Sequence, residues 1–248
     1  MKLTRVEGIV IRVTQYAETS LIVNLFTPER GKIGLMLKGA RRPKSQLSAI
    51  FDFFNLVEVV FYDKEGANLY LGSQATLVRD FPGLVKDLEA YNYAVFGIEV
   101  VDKLFPPEEA SREGYRYLLE YLTILDSGES ARKFELLRAS YYLKMLTIAG
   151  YQPQFSECIV CHKKENLHKI FFSPLSGGIV CGDCAGNLSE LIKMDEGIRR
   201  LLLALRSSPL SDFRRFAAST SQIETINRIL KDFTVYQSLE IRTLTAER

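Results

Sequence analysis

Four cysteines are the residues of this sequence with the clearest capacity for chemistry. They form two equally spaced pairs, Cys158-Ile-Val-Cys161 and Cys181-Gly-Asp-Cys184, and the chain has no other cysteine. A Cys-x-x-Cys turn directs two thiolates at one point, and two such turns supply the four ligands of a tetrahedral zinc ion. The sequence therefore predicts one structural Zn²⁺ bound by Cys158, Cys161, Cys181 and Cys184.

Other uses of these cysteines are less well supported. A closed shell of four thiolates leaves no position for water or substrate, so a zinc ion here would be structural and not catalytic. A redox-active pair would need one exposed thiol of low pKa in a thioredoxin-like pattern, which the sequence lacks. In a thermophilic protein, disulfides between the same cysteines are an alternative to metal binding. His162 and His168 are alternative ligands, although histidines at such positions are more often surface groups.

A second feature is a run of basic residues without opposing charge. No acidic residue occurs between Arg30 and Asp52. Unopposed Lys and Arg side chains on a strand and its adjoining loop can follow a phosphate backbone, whereas the alternative is a solvated charged loop. We predict nucleic-acid contacts at seven positions: Arg12, Arg30, Lys32, Lys38, Arg41, Arg42 and Lys44.

Aromatic rings beside such a run could stack on unpaired bases. Tyr16, Phe51 and Phe53 are the candidates for this role. Alternation along a strand would bury many such rings, so each is also a candidate for the core.

The basic run lies in a part of the chain with the pattern of short β-strands. Five segments up to about Phe81 are rich in β-branched or aromatic residues and are bounded by turn residues: 7–14, 20–27, 32–38, 55–62 and 68–79. Pro28 and Gly31 predict a tight hairpin between the second and third. Five strands without a long helix between them favour an antiparallel barrel, and we expect an OB-fold with a short helix starting near Ser45.

After Phe81 the apolar period changes to 3.6 residues, which predicts helices over residues 84–105, 111–128 and 134–148. Beyond the cysteines, Asp195 is predicted to cap a helix, and Ser221 with Glu224 to form the capping box of another. The segment between the cysteine pairs resembles the β-hairpin of a zinc ribbon. The predicted fold class is α+β: an OB-fold barrel at 1–81, then a mainly helical domain at 82–248 with a zinc-ribbon-like insert at 155–188.

Composition bounds the function. Apolar residues make up 47% and the net charge is only +2, so any binding charge must be local. The sequence contains no signal-peptide pattern, no apolar run long enough to span a bilayer, and no phosphate-loop, dinucleotide or nucleophile-elbow motif. We therefore expect a cytoplasmic protein that is not an enzyme.

Several motifs, in order and spacing, resemble the bacterial RecO family of DNA-repair and recombination-mediator proteins. They are Gly8-Ile-Val-Ile11, Tyr16-x-Glu18, Leu25-Phe-Thr-Pro-Glu-Arg-Gly-Lys32, Lys38-Gly-Ala-Arg-Arg-Pro-Lys-Ser45, and Ala149-Gly-Tyr-Gln-Pro153 before the first cysteine pair. Together they span most of the chain, and the last roughly 60 residues are less diagnostic. The resemblance implies an N-terminal OB-fold and a helical C-terminal domain that bears zinc.

The resemblance also implies activities that no residue pattern here establishes. Such a protein binds single- and double-stranded DNA, anneals complementary strands, and helps load RecA onto DNA coated with single-strand-binding protein. Its implied partners are RecR, the C-terminal tail of single-strand-binding protein and, indirectly, RecA, with the nucleoid as its place of action. The alternative is a zinc-stapled adaptor that binds proteins and has no intrinsic affinity for DNA.

Overall fold

The computed structural model describes residues 2–43, 45, 47–128, 134–165 and 167–245 of the 248. The chain forms two compact units. One comprises the chain up to Ala94 together with Phe105–Gly128, and the other comprises Val95–Leu104 together with the chain after Gly128. The predicted division after residue 81 stays a prediction.

The first unit contains a closed five-stranded barrel. Its strands are β1 (Lys2–Tyr16), β2 (Ser20–Thr27), β3 (Gly31–Leu37), β4 (Leu56–Asp63) and β5 (Tyr70–Arg79). They are hydrogen-bonded in the order β1-β2-β3-β5-β4, and β4 closes the barrel against β1. All pairings are antiparallel except the short β3–β5 pairing. This topology confirms the predicted OB-fold barrel.

Alternation along the strands fills the barrel. On β2 and β3, every second side chain is buried, as Leu21, Val23, Leu25, Ile33 and Leu35 show. The side chains between them point outward, because successive residues of a strand face opposite sides of the sheet. Helix α1 (Leu47–Ile50) lies between β3 and β4, as the sequence predicted.

The hairpin between β2 and β3 forms as predicted. Thr27 pairs with Gly31, and Gly31 has a φ of +60°, which a residue with a side chain rarely adopts. The Thr27 hydroxyl donates to the Gly31 carbonyl and accepts from the Arg30 backbone N–H. The turn is therefore closed by its own polar groups.

Helix α4 (Arg112–Asp126) belongs to the same unit as the barrel. The Phe26 ring of β2 lies 5.5 Å from the Phe105 ring and 6.2 Å from the Tyr115 ring, measured between centroids. The Tyr115 hydroxyl donates to Glu7 of β1 over 2.9 Å. At the other end of α4, Asp126 accepts a 2.6 Å hydrogen bond from the Gly83 N–H.

One predicted helix is two. The pattern from residue 84 to residue 105 suggested a continuous helix, but α2 (Pro82–Lys86) ends at Asp87, whose backbone is extended. The Asp87 carboxylate accepts from the N–H groups of Glu89 and Ala90 and begins α3 (Leu88–Leu104). The prediction of one helix was wrong. The apolar period continues past Asp87, but the Asp87 side chain caps the start of a new helix at that point.

The second unit is built around α5 (Phe134–Ile148), which is buried along most of its length. Three of its buried polar side chains donate to backbone carbonyls: Tyr141 to Gly97, Ser140 to Leu205, and Lys144 to Arg206 and Ser208. A buried ammonium is costly to leave unpaired, so Lys144 fixes the end of the neighbouring helix α6 (Glu196–Ser207).

The cap of α6 confirms one prediction, and the cap of α7 (Thr220–Tyr236) corrects another. Asp195 accepts from the Ile198 N–H at the start of α6. The capping box of α7 is formed by Ser219 and Gln222, not by Ser221 and Glu224. The chain ends, among the described residues, in the short helix α8 (Arg242–Thr245).

The same unit carries a small antiparallel sheet of β6 (Ile170–Ser173), β7 (Gly178–Cys181) and β8 (Ile192–Met194), in the order β7-β6-β8. The β6–β7 hairpin confirms the prediction for the segment between the cysteine pairs, whereas β8 was not anticipated. Among the described residues, no helix is both long and apolar enough to cross a bilayer.

Candidate metal centre and nucleic-acid interface

The four cysteines converge on one point. Their sulfur atoms all lie within 4.8 Å of one another, and the Sγ atoms of Cys161 and Cys181 are 3.7 Å apart. Tetrahedral coordination with metal–sulfur bonds of about 2.3 Å separates sulfurs by about 3.8 Å, whereas a disulfide needs about 2.05 Å. All four cysteines are free. The group could therefore hold a metal ion.

Backbone hydrogen bonds hold the first cysteine pair next to the second. The Ile159 N–H donates to the Ile179 carbonyl of β7, and the Ile179 N–H donates to the Gln154 carbonyl. Cys181 is the last residue of β7, and its N–H donates to the Cys158 sulfur over 3.4 Å. The hairpin thus brings together two cysteine pairs that have nineteen residues between them in the sequence.

The pKa values of two of the thiols, Cys158 and Cys184, are shifted in opposite directions. Burial raises the pKa of the Cys158 thiol, but hydrogen bonds from the N–H groups of Cys161, Cys181 and Val160 outweigh it and lower that pKa to about 6. Hydrogen bonds to the sulfurs of Cys181 and Cys161 raise the pKa of Cys184 to about 12. Neighbouring thiolates repel one another, and a bound dication would remove this repulsion and release protons.

The histidines lie outside this cluster. Among the described residues, the group that could hold a metal contains only the four cysteines. The His162 ring is largely exposed, and its Nδ1 atom is 3.3 Å from the Glu157 carboxylate. The geometry therefore favours four thiolates over a mixed ligand set.

Two arginines of α6 hold the segment that leads into the first pair, which the sequence did not indicate. Arg199 donates to the carbonyls of Phe155 and Ser156, and Arg206 donates to the carbonyl of Pro153. Burial lowers the pKa of Arg206 from its ordinary value. Side-chain donors on α6 therefore attach the backbone before the first cysteine pair to the helical part of its unit.

The basic residues divide between the two ends of the barrel. Lys38 follows β3 directly, and the residues 38–43 form a turn that we call the basic loop. The Arg41 backbone N–H donates to the Thr19 carbonyl over 2.9 Å, and its guanidinium donates to the Glu18 carbonyl over 3.4 Å. The basic loop thus lies against the turn between β1 and β2.

The basic loop presents its charges to solvent. The side chains of Lys38, Arg41 and Arg42 are exposed, and within the described ranges Lys38 and Arg42 have no ion-pair partner. Arg12 is also exposed, on the outer face of β1 opposite Asn24 of β2. Lys44 lies outside the described residues. Four of the seven predicted contacts are therefore on β1 or in the basic loop.

Arg30 and Lys32 lie at the opposite end of the β2–β3 hairpin. Six residues of extended strand, about 20 Å, separate Lys32 from Lys38. The Arg30 guanidinium is 2.6 Å from the Asp63 carboxylate, donates to the Tyr70 hydroxyl, and covers the rings of Phe61 and Tyr70. The structure therefore does not bring these two residues together with the basic loop.

The internal contacts of Arg30 lead to a stability prediction. Arg30→Ala should lower the free energy of unfolding by roughly 1 to 3 kcal/mol near pH 7, because Tyr70 loses the donor to its hydroxyl and Asp63 loses its charged donor, keeping the hydrogen bond from the Thr4 hydroxyl. The Arg30 hydrogen bond lowers the pKa of Asp63, so this stabilisation is present above the ordinary carboxyl pKa of about 3.9 and is lost as pH falls through the lower folded-state pKa.

Urea unfolding of wild type and Arg30→Ala between pH 2 and pH 7 tests this. The difference in unfolding free energy should shrink at the acid end of the series. A difference that stays constant across the series would contradict a role for the Asp63 ion pair.

The fold and these sites define a class. The chain is a two-unit protein with an OB-fold barrel, an exposed basic loop on that barrel, and a cluster of four cysteines in the second unit that could hold a metal ion. The family model "Recombination protein O N terminal" matches residues 1–81, and "Recombination protein O C terminal" matches residues 85–242. The chain therefore belongs to the RecO family of DNA repair proteins.

Individual relatives agree. The chain is 33% identical to the "DNA repair protein RecO" of Symbiobacterium thermophilum over 82% of this chain and 81% of the relative. It is 29% identical to the protein of the same name from Caldanaerobacter subterraneus subsp. tengcongensis over 94% and 92%. The corresponding protein of Bacillus mycoides is 32% identical over 80% and 77%.

Proposed function

We propose that this chain is a recombination mediator. It binds single- and double-stranded DNA, anneals complementary strands and helps load RecA onto DNA coated with single-strand-binding protein. None of these steps makes or breaks a covalent bond, which fits a protein without an enzymatic role. We place it in the cytoplasm, on the nucleoid when it is bound to DNA.

The observation that carries this proposal is the basic loop on the OB-fold barrel. OB-folds bind oligonucleotides on the face of strands 2 and 3 and at the adjoining loops, including the loop between strands 1 and 2. Arg41 attaches the basic loop to that same turn through the carbonyls of Glu18 and Thr19. Three exposed cations at this place suit phosphate contacts, which bind without reading sequence. Annealing needs such contacts, because the bases must stay available.

We do not count Arg30 and Lys32 among the main DNA contacts. Phosphate binding by Arg30 would compete with Asp63, so we assign its main contribution to the barrel itself. Lys32 is half-buried, and its carbonyl accepts from the Glu108 N–H. We therefore propose that Arg12, Lys38, Arg41 and Arg42, with Lys44, make the DNA contacts that matter most.

The remaining partners follow from the family. We propose RecR and the C-terminal tail of single-strand-binding protein as protein partners, and RecA as an indirect one. We also propose that the metal is a single structural zinc ion, since four thiolates in tetrahedral spacing are the ligand set that zinc prefers. When bound, zinc supplies charge neutralisation and a cross-link, while Arg199 and Arg206 attach its ribbon to α6.

Charge reversal in the basic loop tests the proposal. Arg41→Glu with Arg42→Glu should weaken binding of labelled single-stranded DNA by at least about tenfold at low salt and reduce the dependence of log K on log salt by about 2, because two phosphate contacts are lost. Fluorescence anisotropy across a salt series measures both quantities.

The matched control is Arg214→Glu with Arg215→Glu, an adjacent exposed pair in the second unit that changes the net charge equally. This control should bind DNA much as the wild type does. Equal weakening by both double variants would show a general charge effect and remove the basic loop from the site. If wild type bound no DNA at low salt, the adaptor alternative would replace the mediator.

A further inference from the structure

Tyr16 is an exposed aromatic ring beside the basic loop. Its side chain is 51% exposed, whereas Phe51 is fully buried in the barrel and Phe53 packs on Phe54 with ring centroids 4.2 Å apart. In the described part of the chain, the Tyr16 ring contacts no other aromatic ring and its hydroxyl makes no hydrogen bond. Of the three aromatics near the basic run, Tyr16 is the most exposed, Phe53 is half-buried and Phe51 is buried.

Tyr16 lies next to the turn to which the basic loop is attached. Tyr16 is the last residue of β1 and pairs with Ser20, the first residue of β2, whose side chain is small. The three residues between them, 17–19, form the turn that accepts both hydrogen bonds from Arg41. An exposed ring and an exposed guanidinium thus flank one tight turn.

We infer that Tyr16 is a base-stacking platform that makes this site prefer single-stranded over double-stranded DNA. This inference rests on the proposed function, because it names the form of DNA that the same site selects. Single and double strands both present phosphates to Arg41 and Arg42. In a duplex the faces of the bases are covered by their neighbours, whereas an unpaired base can place its face on an aromatic ring. The two arginines therefore contact the phosphates of both forms of DNA, whereas Tyr16 stacks only on bases of the single strand.

Binding measurements on two forms of DNA test the inference. Tyr16→Ala should weaken binding of an unstructured single strand roughly 5- to 100-fold, which corresponds to the loss of one stacked base. Binding of a duplex of equal length should change less than about twofold, since no phosphate contact is removed. Tyr16→Phe keeps the ring and should retain the single-strand affinity.

Tyr62→Ala is the matched control. Tyr62 is an exposed tyrosine of β4 that pairs with Leu3 and Leu71, on a different part of the barrel surface. Its replacement removes the same side chain and should leave both affinities close to those of the wild type. Thermal unfolding of each variant checks that the fold is retained.

A fluorescence experiment reports stacking directly. The sequence contains no tryptophan, so Tyr16→Trp introduces a single indole whose emission can be observed without background. Addition of single-stranded DNA should quench this emission strongly, and duplex DNA at saturating concentration should quench it much less. Tyr62→Trp should respond weakly to both.

The outcomes separate the inference from the proposed function. If wild type binds DNA but Tyr16→Ala loses equal affinity for both forms, or Tyr16→Trp is not quenched by single strands, the stacking role is overturned while DNA binding stands. If wild type binds neither form at low salt, both the proposed function and the stacking role fail. Selective single-strand loss together with selective quenching establishes the role.

Discussion

Replacing Cys181 by serine is expected to reduce bound zinc from about one equivalent per chain to nearly none and to unfold the ribbon around it. A serine hydroxyl stays protonated at neutral pH and does not replace a thiolate ligand. The ribbon has little apolar core of its own, since its buried cluster consists of Cys158, Val180 and Cys181. Structural zinc contributes about 10 to 16 kcal/mol in isolated finger peptides, so the loss exceeds the effect of an ordinary core truncation.

Metal analysis and limited proteolysis measure this result. The variant should be cleaved preferentially between Cys158 and Cys184, while the barrel stays resistant. His162→Ala is the control, because His162 lies beside the ribbon but outside the cysteine cluster, and it should retain its zinc. A Cys181→Ser protein that kept a full equivalent of zinc would contradict four-thiolate binding. If the wild type contained two disulfides and no zinc, the cysteines would form disulfides, as in the alternative for a thermophilic protein.

A second large effect is expected at Gly31. Gly31→Ala should lower the free energy of unfolding of the barrel by roughly 3 to 5 kcal/mol. An alanine Cβ there would lie 2.1 Å from the Glu109 carbonyl oxygen and 2.8 Å from the Glu109 nitrogen, and the φ of +60° adds strain. Backbone atoms cannot rotate away as a side chain can, so the Glu109 backbone must move. That movement would break the hydrogen bond from the Glu108 N–H to Lys32.

Gly66→Ala separates the steric part of this cost from the conformational part. Gly66 has a φ of +71°, but a Cβ at that position would meet no atom within 4 Å. Its replacement should cost only about 1 kcal/mol, the usual penalty for a side chain in this conformation. Urea unfolding of both variants gives the comparison. Equal destabilisation by the two substitutions would show that contact with Glu109 is unimportant.

Much of the architecture could be predicted from short-range patterns. β-Branched and aromatic content between turn residues identified all five barrel strands, and cysteine spacing identified the cysteine cluster, because both signals lie within a few neighbouring residues. Strand ends were less accurate: β1 begins at Lys2 and is fifteen residues long, since it pairs with β4 along its first half and with β2 along its second. A pairing between strands that are distant in sequence cannot be recognised from the residues near the end of a strand.

The same limit explains the other differences. Ser219 with Gln222 and Ser221 with Glu224 both fit the capping-box pattern, and only the observed backbone distinguishes them. Arg30 stays a predicted phosphate contact, but the sequence did not reveal its ion pair with Asp63, because Asp63 is 33 residues away in sequence. Likewise, no sequence pattern separates an exposed Tyr16 from a buried Phe51. Charge type and ring type could be predicted, but their availability to a ligand depends on the fold.

The first unit is built from two separate segments of the chain, and this has a consequence for folding during translation. The barrel strands are complete at Arg79, but the partners of Phe26 and Glu7, the side chains of Phe105 and Tyr115, come later in the chain. At about 5 to 20 residues per second, the ribosome needs roughly 2 to 10 s to add residues 82–128. During this interval the nascent barrel carries an uncovered Phe26. The chain must therefore avoid aggregation on the ribosome until α4 emerges and packs.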